Sequence, residues 1–155
     1  MKFDLIFLGR TKAQYLTDGI DDFLARLKHY AEVQTRTLKV KEPGKKPEAQ
    51  IKDEEADILL SHLEPGTTVV ALDPGGRQYS SEEFAEKIAF WEDTGRSHIS
   101  ILIGGPLGLS GKVLARADQV MSLSRMTFTH DMTRLIVLEQ LYRALNIRKG
   151  TGYHK

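Results

Sequence analysis

At 155 residues, with 41% hydrophobic and 28% charged side chains, the chain has the size and composition of one globular domain. A net charge of +1 excludes a protein that coats nucleic acid by bulk electrostatics, and the absence of cysteine excludes a disulfide framework, a thiolate metal site and a cysteine nucleophile. The apolar run at Met1–Ile6 is too short for a secretory signal, and no stretch approaches the roughly 20 apolar residues of a membrane span. The expected location is therefore the cytoplasm, with no membrane association.

Phe3 to Leu8 reads as a strand, and Thr17 to Ala31 as an amphipathic helix with Ile20, Phe23, Leu24 and Leu27 on one side. Gln34 to Lys41 alternates as a half-exposed strand, and Glu42 to Pro47, with two prolines and a glycine, is a loop. Ile51 to Leu63 is a second helix directing Ile58, Leu59 and Leu63 inward. Thr67 to Leu72 is a buried strand closed by the turn signal Asp73-Pro74-Gly75-Gly76. Ser80-Ser81-Glu82-Glu83 is a capping box that starts a third helix running to about Asp93. His98 to Ile103 is a strand, Lys112 to Ala117 a short helix, Gln119 to Leu123 a strand, and Asp131 to Asn146 the last helix. Strands and helices alternate throughout, which predicts an α/β fold with a largely parallel sheet and helices on both faces.

The stretch with most chemical content is Ser100 to Ser110, an aliphatic run that ends in Gly104-Gly105-Pro106-Leu107-Gly108. Glycines at the carboxyl end of a buried strand let the backbone turn sharply and approach a ligand, and ligands of open α/β sheets bind at that edge. The spacing is not a phosphate loop. Pro106 stands where the first Walker glycine is needed and Val113 where the hydroxyl is needed, and the glycines do not fit G-x-G-x-x-G. No His, Asp and Glu spacing suggests a metal site, and none is expected.

Charge is uneven along the chain. Glu48, Asp53, Glu54, Glu55 and Asp57 form an acidic run, read as a solvated face; Arg143, Arg148, Lys149 and Lys155 form a basic tail able to grip a few phosphates. The last helix is apolar well beyond one stripe, at Met132, Leu135, Ile136, Val137, Leu138, Leu141, Tyr142 and Leu145. Such a helix is either central to its own core or packs on a second copy of the chain as well.

Three loops follow three neighbouring strand ends: Leu72 to Gly75, Ile103 to Gly108, and Ser122 to His130. Together with Gly9, Lys12 and Tyr15, with Leu141-Tyr142-Arg143-Ala144 and with the terminal Tyr153-His154-Lys155, they give a chain that resembles, over its whole length, the small bacterial ribosomal RNA methyltransferases of the RlmH family, in the SPOUT class. The resemblance implies a single domain over residues 1–155 with a deep trefoil knot within about residues 70–155, an exception to the rule that chains are unknotted. It implies a homodimer that uses S-adenosylmethionine to methylate N3 of a pseudouridine in the helix 69 loop of 23S rRNA, on the assembled ribosome.

Carried onto this chain, the family's cofactor contacts fall on Leu72, Gly104, Gly105 and the run Leu123, Ser124, Arg125, Met126, Thr127 and Phe128. Plain core packing is the other reading of Leu72, Met126 and Phe128. The acceptor is a weakly acidic imide, so a proton must leave and a cation would steady the developing anion. His154 with Tyr153 in the tail, Arg143 and His130 are the expected catalytic groups; capping or orienting the last helix would explain His130 equally well. After His130 the family usually has glutamine or proline, so Asp131 is a departure that puts a negative charge near the expected RNA surface, or is structural and silent. Lys39, Lys41, Lys45 and Lys46 are expected to add phosphate contacts. A competing reading is a non-catalytic RNA- or ribosome-binding module on the same scaffold, which would not bind S-adenosylmethionine.

Overall fold

The computed structural model describes residues 1–154, with His154 in its backbone alone. In chain order the elements are β1 (Lys2–Leu8), α1 (Gln14–Leu27), β2 (Glu32–Leu38), α2 (Glu48–Ser61), β3 (Thr68–Gln78), α3 (Ser81–Asp93), β4 (His98–Ile103), α4 (Gly111–Arg116), β5 (Gln119–Ser122) and α5 (His130–Lys149), followed by a 3-10 turn at Gly152–His154. The described strands form one sheet in the order β2-β1-β4-β3-β5, and every pairing is parallel. The expected β-α alternation and parallel sheet are present; α1, α2 and α5 each begin earlier than periodicity suggested.

Helices cover both faces, so the central strands are apolar at nearly every position rather than at alternate ones. Phe3, Leu5 and Phe7 of β1 pack with Ile20 and Leu27 of α1, Ile88 and Trp91 of α3, and Val137, Leu138 and Leu141 of α5. Ile6 and Leu8 turn to the other face, against Ala56 and Leu59 of α2 and Val113 of α4. Helix α5 lies between α1 and α3. Its Met132, Leu135 and Ile136 remain half-exposed, so its apolar surface exceeds what its own core covers. Among the described residues no helix is long and apolar enough to cross a membrane.

The capping box at α3 is present in both directions: Ser80 Oγ accepts from the Glu83 N–H at 3.0 Å, and the Ser80 N–H donates to Glu83 Oε2 at 2.8 Å. The turn at Asp73 to Gly76 differs from the sequence reading. Asp73 Oδ1 does accept the Gly75 N–H at 2.9 Å, the local signature of a turn. The chain nevertheless stays in the sheet, because Leu72 and Arg77 both pair with Met121 and the residues between them bulge out of the ladder. A Cβ on Gly76 would lie 2.7 Å from the backbone N and C of Met121, so the two segments approach backbone to backbone and only glycine fits. Non-local pairing with β5 overrides the turn residues here.

Candidate active site

The carboxyl edge of the sheet carries a cavity of about 730 Å³, enclosed by the loops after Leu72, Ile103 and Ser122 and by the first turn of α5. Each loop is held by its own hydrogen bonds. Gly108 N–H donates to the Gly105 carbonyl at 3.0 Å, folding the glycine loop back on itself. A Cβ on Gly104 would sit 2.9 Å from the Gly108 carbonyl carbon, so the fold of this loop requires glycine there. After β5, Ser122 Oγ donates to the Ser124 carbonyl and Ser124 Oγ accepts the Met126 N–H, both at 2.9 Å.

Leu72, Gly104, Gly105, Leu123, Ser124, Met126, Thr127 and Phe128, expected as cofactor contacts, all line this cavity. Arg125 does not; it is exposed and belongs to the outer side of the loop. Met126 is 77% exposed and Phe128 38%, so neither is a core residue: both present apolar surface at an open mouth. Core packing does hold for Leu72, which is buried beside Ile103 and also reaches the cavity.

His130 and Thr133 line the cavity from α5. Thr129 is the N-cap of that helix, its hydroxyl accepting the Met132 N–H at 3.2 Å, so capping does not account for His130. Burial pushes the His130 imidazole below its ordinary 6.5; Asp131 draws it back, while Arg134 and Lys12 add to the depression. The ring is therefore neutral at neutral pH and able to take a proton.

Arg143 and Tyr153 are not brought to this cavity. Arg143 donates to Glu139 Oε1 at 2.7 Å and lies over the Tyr153 ring at 5.0 Å, and that ring packs edge-on against Tyr142 at 4.6 Å. This cluster stands thirteen residues along α5 from His130, a rise of about 20 Å. The His154 side chain lies outside the described residues.

Two lining groups escaped the sequence reading. Thr133 follows His130 by one helical turn and could have been found by that spacing. Lys52 reaches the cavity from α2 with no local signal. The acidic run is also not wholly solvated. Glu55 turns inward, with Oε2 about where a Cβ on Gly105 would meet it at 3.0 Å, and that oxygen is buried without a hydrogen-bond partner. Burial raises the Glu55 carboxyl above its ordinary value.

At the amino edge of the sheet, Asp4, Glu64 and His98 offer ligand-type atoms within 4.8 Å of one another, a cluster that no sequence spacing showed. Its carboxylates are already paired. Asp4 Oδ2 accepts from Arg36 at 3.0 Å and His98 at 2.9 Å, and Glu64 accepts from Lys2 at 3.1 Å and from Arg36. Two cations among two carboxylates make this an internal ion-pair network.

A family model described as "Predicted SPOUT methyltransferase" matches residues 1–154. The chain belongs to this SPOUT family. Relatives named "Ribosomal RNA large subunit methyltransferase H" include one from Desulfotalea psychrophila, 47% identical over the full length of both chains, and one from Pelotomaculum thermopropionicum, 45% identical over 97% of this chain and 96% of that one. Among solved structures, a probable methyltransferase from Bordetella pertussis Tohama I superposes with a TM-score of 0.58 over 93% of this chain and 96% of that one, at 15% identity, a likeness of fold.

SPOUT methyltransferases use S-adenosylmethionine, and the cavity fits it. Apolar side chains at Leu72, Leu123 and Phe128 suit an adenine ring, the side-chain-free backbone at Gly104 and Gly105 suits close main-chain contact, and Asp73 is a carboxylate at the rim for a cationic molecule.

Proposed function

We propose that this SPOUT methyltransferase acts on large-subunit ribosomal RNA, methylating N3 of a pseudouridine in the helix 69 loop on the assembled ribosome, as a cytoplasmic homodimer. The observation that carries the reading is the glycine-built cavity with His130 at its rim, in a chain whose full-length relatives are named large-subunit rRNA methyltransferases. The fold reading extends to one domain over residues 1–155 with a knot within about residues 70–155.

S-adenosylmethionine supplies a methyl group already activated on a sulfonium, so the protein has chiefly to hold the acceptor in line and take its proton. His130 is the described residue suited to receive the imide proton. Arg143 sits too far along α5, and Tyr153 packs beside it beyond the end of that helix, for either to serve their own cavity, and a two-fold related copy supplies them, with the His154 tail, to the partner's acceptor. The half-exposed Met132, Leu135 and Ile136 support that pairing. Arg143 then steadies the charge that develops as N3 loses its proton.

The test uses labelled cofactor with ribosomes and, in parallel, naked RNA fragments. Label transferred to ribosomes and weakly to fragments supports the reading; equal transfer to both contradicts the ribosome requirement. Absence of S-adenosylmethionine binding by calorimetry would favour the non-catalytic module.

A further inference from the structure

The loops after β1 and β2 lie side by side at the carboxyl edge of the sheet, the edge that holds the cavity; a Cβ on Gly9 would fall 3.7 Å from Val40 Cγ2. Arg10, Lys12, Lys39, Lys41 and Lys45 are exposed along this strip, and among the described residues none has an ion-pair partner, whereas neighbouring Lys46 is tied to Glu54. Five cations against the single Glu42 give the strip a charge of +4 in a chain whose total is +1. Tyr15, three residues after Lys12 at the start of α1, is 68% exposed. Unpaired cations together with a solvent-facing aromatic ring are the elements of a single-stranded nucleic-acid surface, phosphates on the charges and a base on the ring.

The strip is anchored to the reaction site. Asp131 Oδ2 accepts the Lys12 N–H at 3.2 Å, and Arg134 Nη1 donates to Thr11 Oγ1 at 2.9 Å. Both anchors belong to the first five residues of α5, which also carry His130 and Thr133 into the cavity. Asp131 is thus occupied with the loop and with Arg134, and does not stand as a free negative charge against RNA.

We propose that Arg10, Lys12, Tyr15, Lys39, Lys41 and Lys45 form the surface on which unpaired RNA next to the target nucleotide docks, with Tyr15 stacking on a flanking base. The inference rests on the proposed action on ribosomal RNA and adds the place where that RNA is held. None of these residues lines the cofactor cavity, so substrate and cofactor binding are separable.

The test compares wild type, Tyr15→Ala, a Lys39→Ala/Lys41→Ala/Lys45→Ala triple variant and its all-arginine counterpart. KM for ribosomes lacking the modification, its salt dependence, S-adenosylmethionine Kd and sedimentation are measured for each. Both alanine variants are expected to raise KM roughly tenfold with unchanged cofactor Kd. The triple variant is expected to flatten log KM against log salt by about 2, at about 0.7 per phosphate contact, and the arginine variant to keep the wild-type slope. A wild-type KM and salt slope in the alanine triple variant would overturn the surface. So would a Tyr15→Ala protein that sediments as a smaller species, which would assign the ring to a subunit contact. A wild type that binds cofactor and leaves ribosomes unmethylated overturns the rRNA reading itself, an outcome distinct from an active wild type with unaffected variants.

Discussion

Arg134, wholly buried in the first turns of the last helix, donates from Nη2 to the backbone carbonyl of Leu8 at 2.8 Å, at the end of the first strand. Its other amino group reaches Thr11 and lies 3.3 Å from Asp131, and its guanidinium covers the Phe7 ring. One side chain thereby fixes the helix that brings His130 to the cavity against the strand end and loop beside it. Arg134→Ala is expected to cost about 3 kcal/mol in urea unfolding, because it removes the buried donor to the Leu8 carbonyl and the cation beside Asp131. A loss under about 0.5 kcal/mol would show that the anchor is dispensable.

Gly104 and Gly76 separate cofactor binding from folding. A methyl on Gly104 meets the backbone of Gly108 and Leu109 at 2.9 to 3.1 Å, within the loop that lines the cavity. Gly104→Ala is expected to weaken S-adenosylmethionine binding at least tenfold by calorimetry while the protein stays folded. A methyl on Gly76 meets backbone at 2.7 Å between strands, where neither side can yield, and Gly76→Ala is expected to cost roughly 3 kcal/mol of stability. Unchanged melting of the Gly76 variant would contradict the close backbone contact with Met121.

The depressed imidazole of His130 sets a pH dependence. Unfolded, the group titrates near 6.5; folded, it holds its proton only at lower pH, so the unfolded chain binds more protons between the two values. Stability therefore falls as pH drops below 6.5 and is unaffected by this group above it. His130→Gln should remove that part of the acid slope in denaturant titrations, and should also lower single-turnover methylation at neutral pH. Retention of full turnover would exclude His130 as the proton acceptor.

Glu55 has the opposite sign. Its carboxyl is raised by burial, so the folded state binds the proton more readily and the charged form opposes folding at neutral pH. Glu55→Gln is expected to raise the melting temperature at pH 7 and to leave it nearly unchanged near pH 4. A lower melting temperature at pH 7 would mean that the carboxylate has a partner.

Much of this was legible locally. Phe3–Leu8 and His98–Ile103 are mostly apolar runs, interrupted by Asp4 in the first and by His98 and Ser100 in the second, because both sheet faces are covered, and Ser80 with Glu83 is a self-contained signal. The glycine loop after β4 identified the cavity edge for the same reason: backbone turns are encoded by residue type. What the sequence hid depends on distance in space. Gly76 looked like a turn glycine, yet its identity is dictated by Met121. Lys52 and Glu55 read as surface of a weakly patterned helix, and only the position of α2 beside the glycine loop turns them inward. Arg143 and Tyr153 shared a family pattern with His130, but pattern carries no length, and α5 holds Arg143, with the Tyr153 ring packed against it, about 20 Å from His130.

The most direct measurement is mass-spectrometric mapping of 23S rRNA after incubation of the protein with S-adenosylmethionine and ribosomes that lack the modification. One methyl group on a pseudouridine of the helix 69 loop is the expected result. Methylation at another nucleotide, or none on ribosomes by a protein that binds the cofactor, would contradict it.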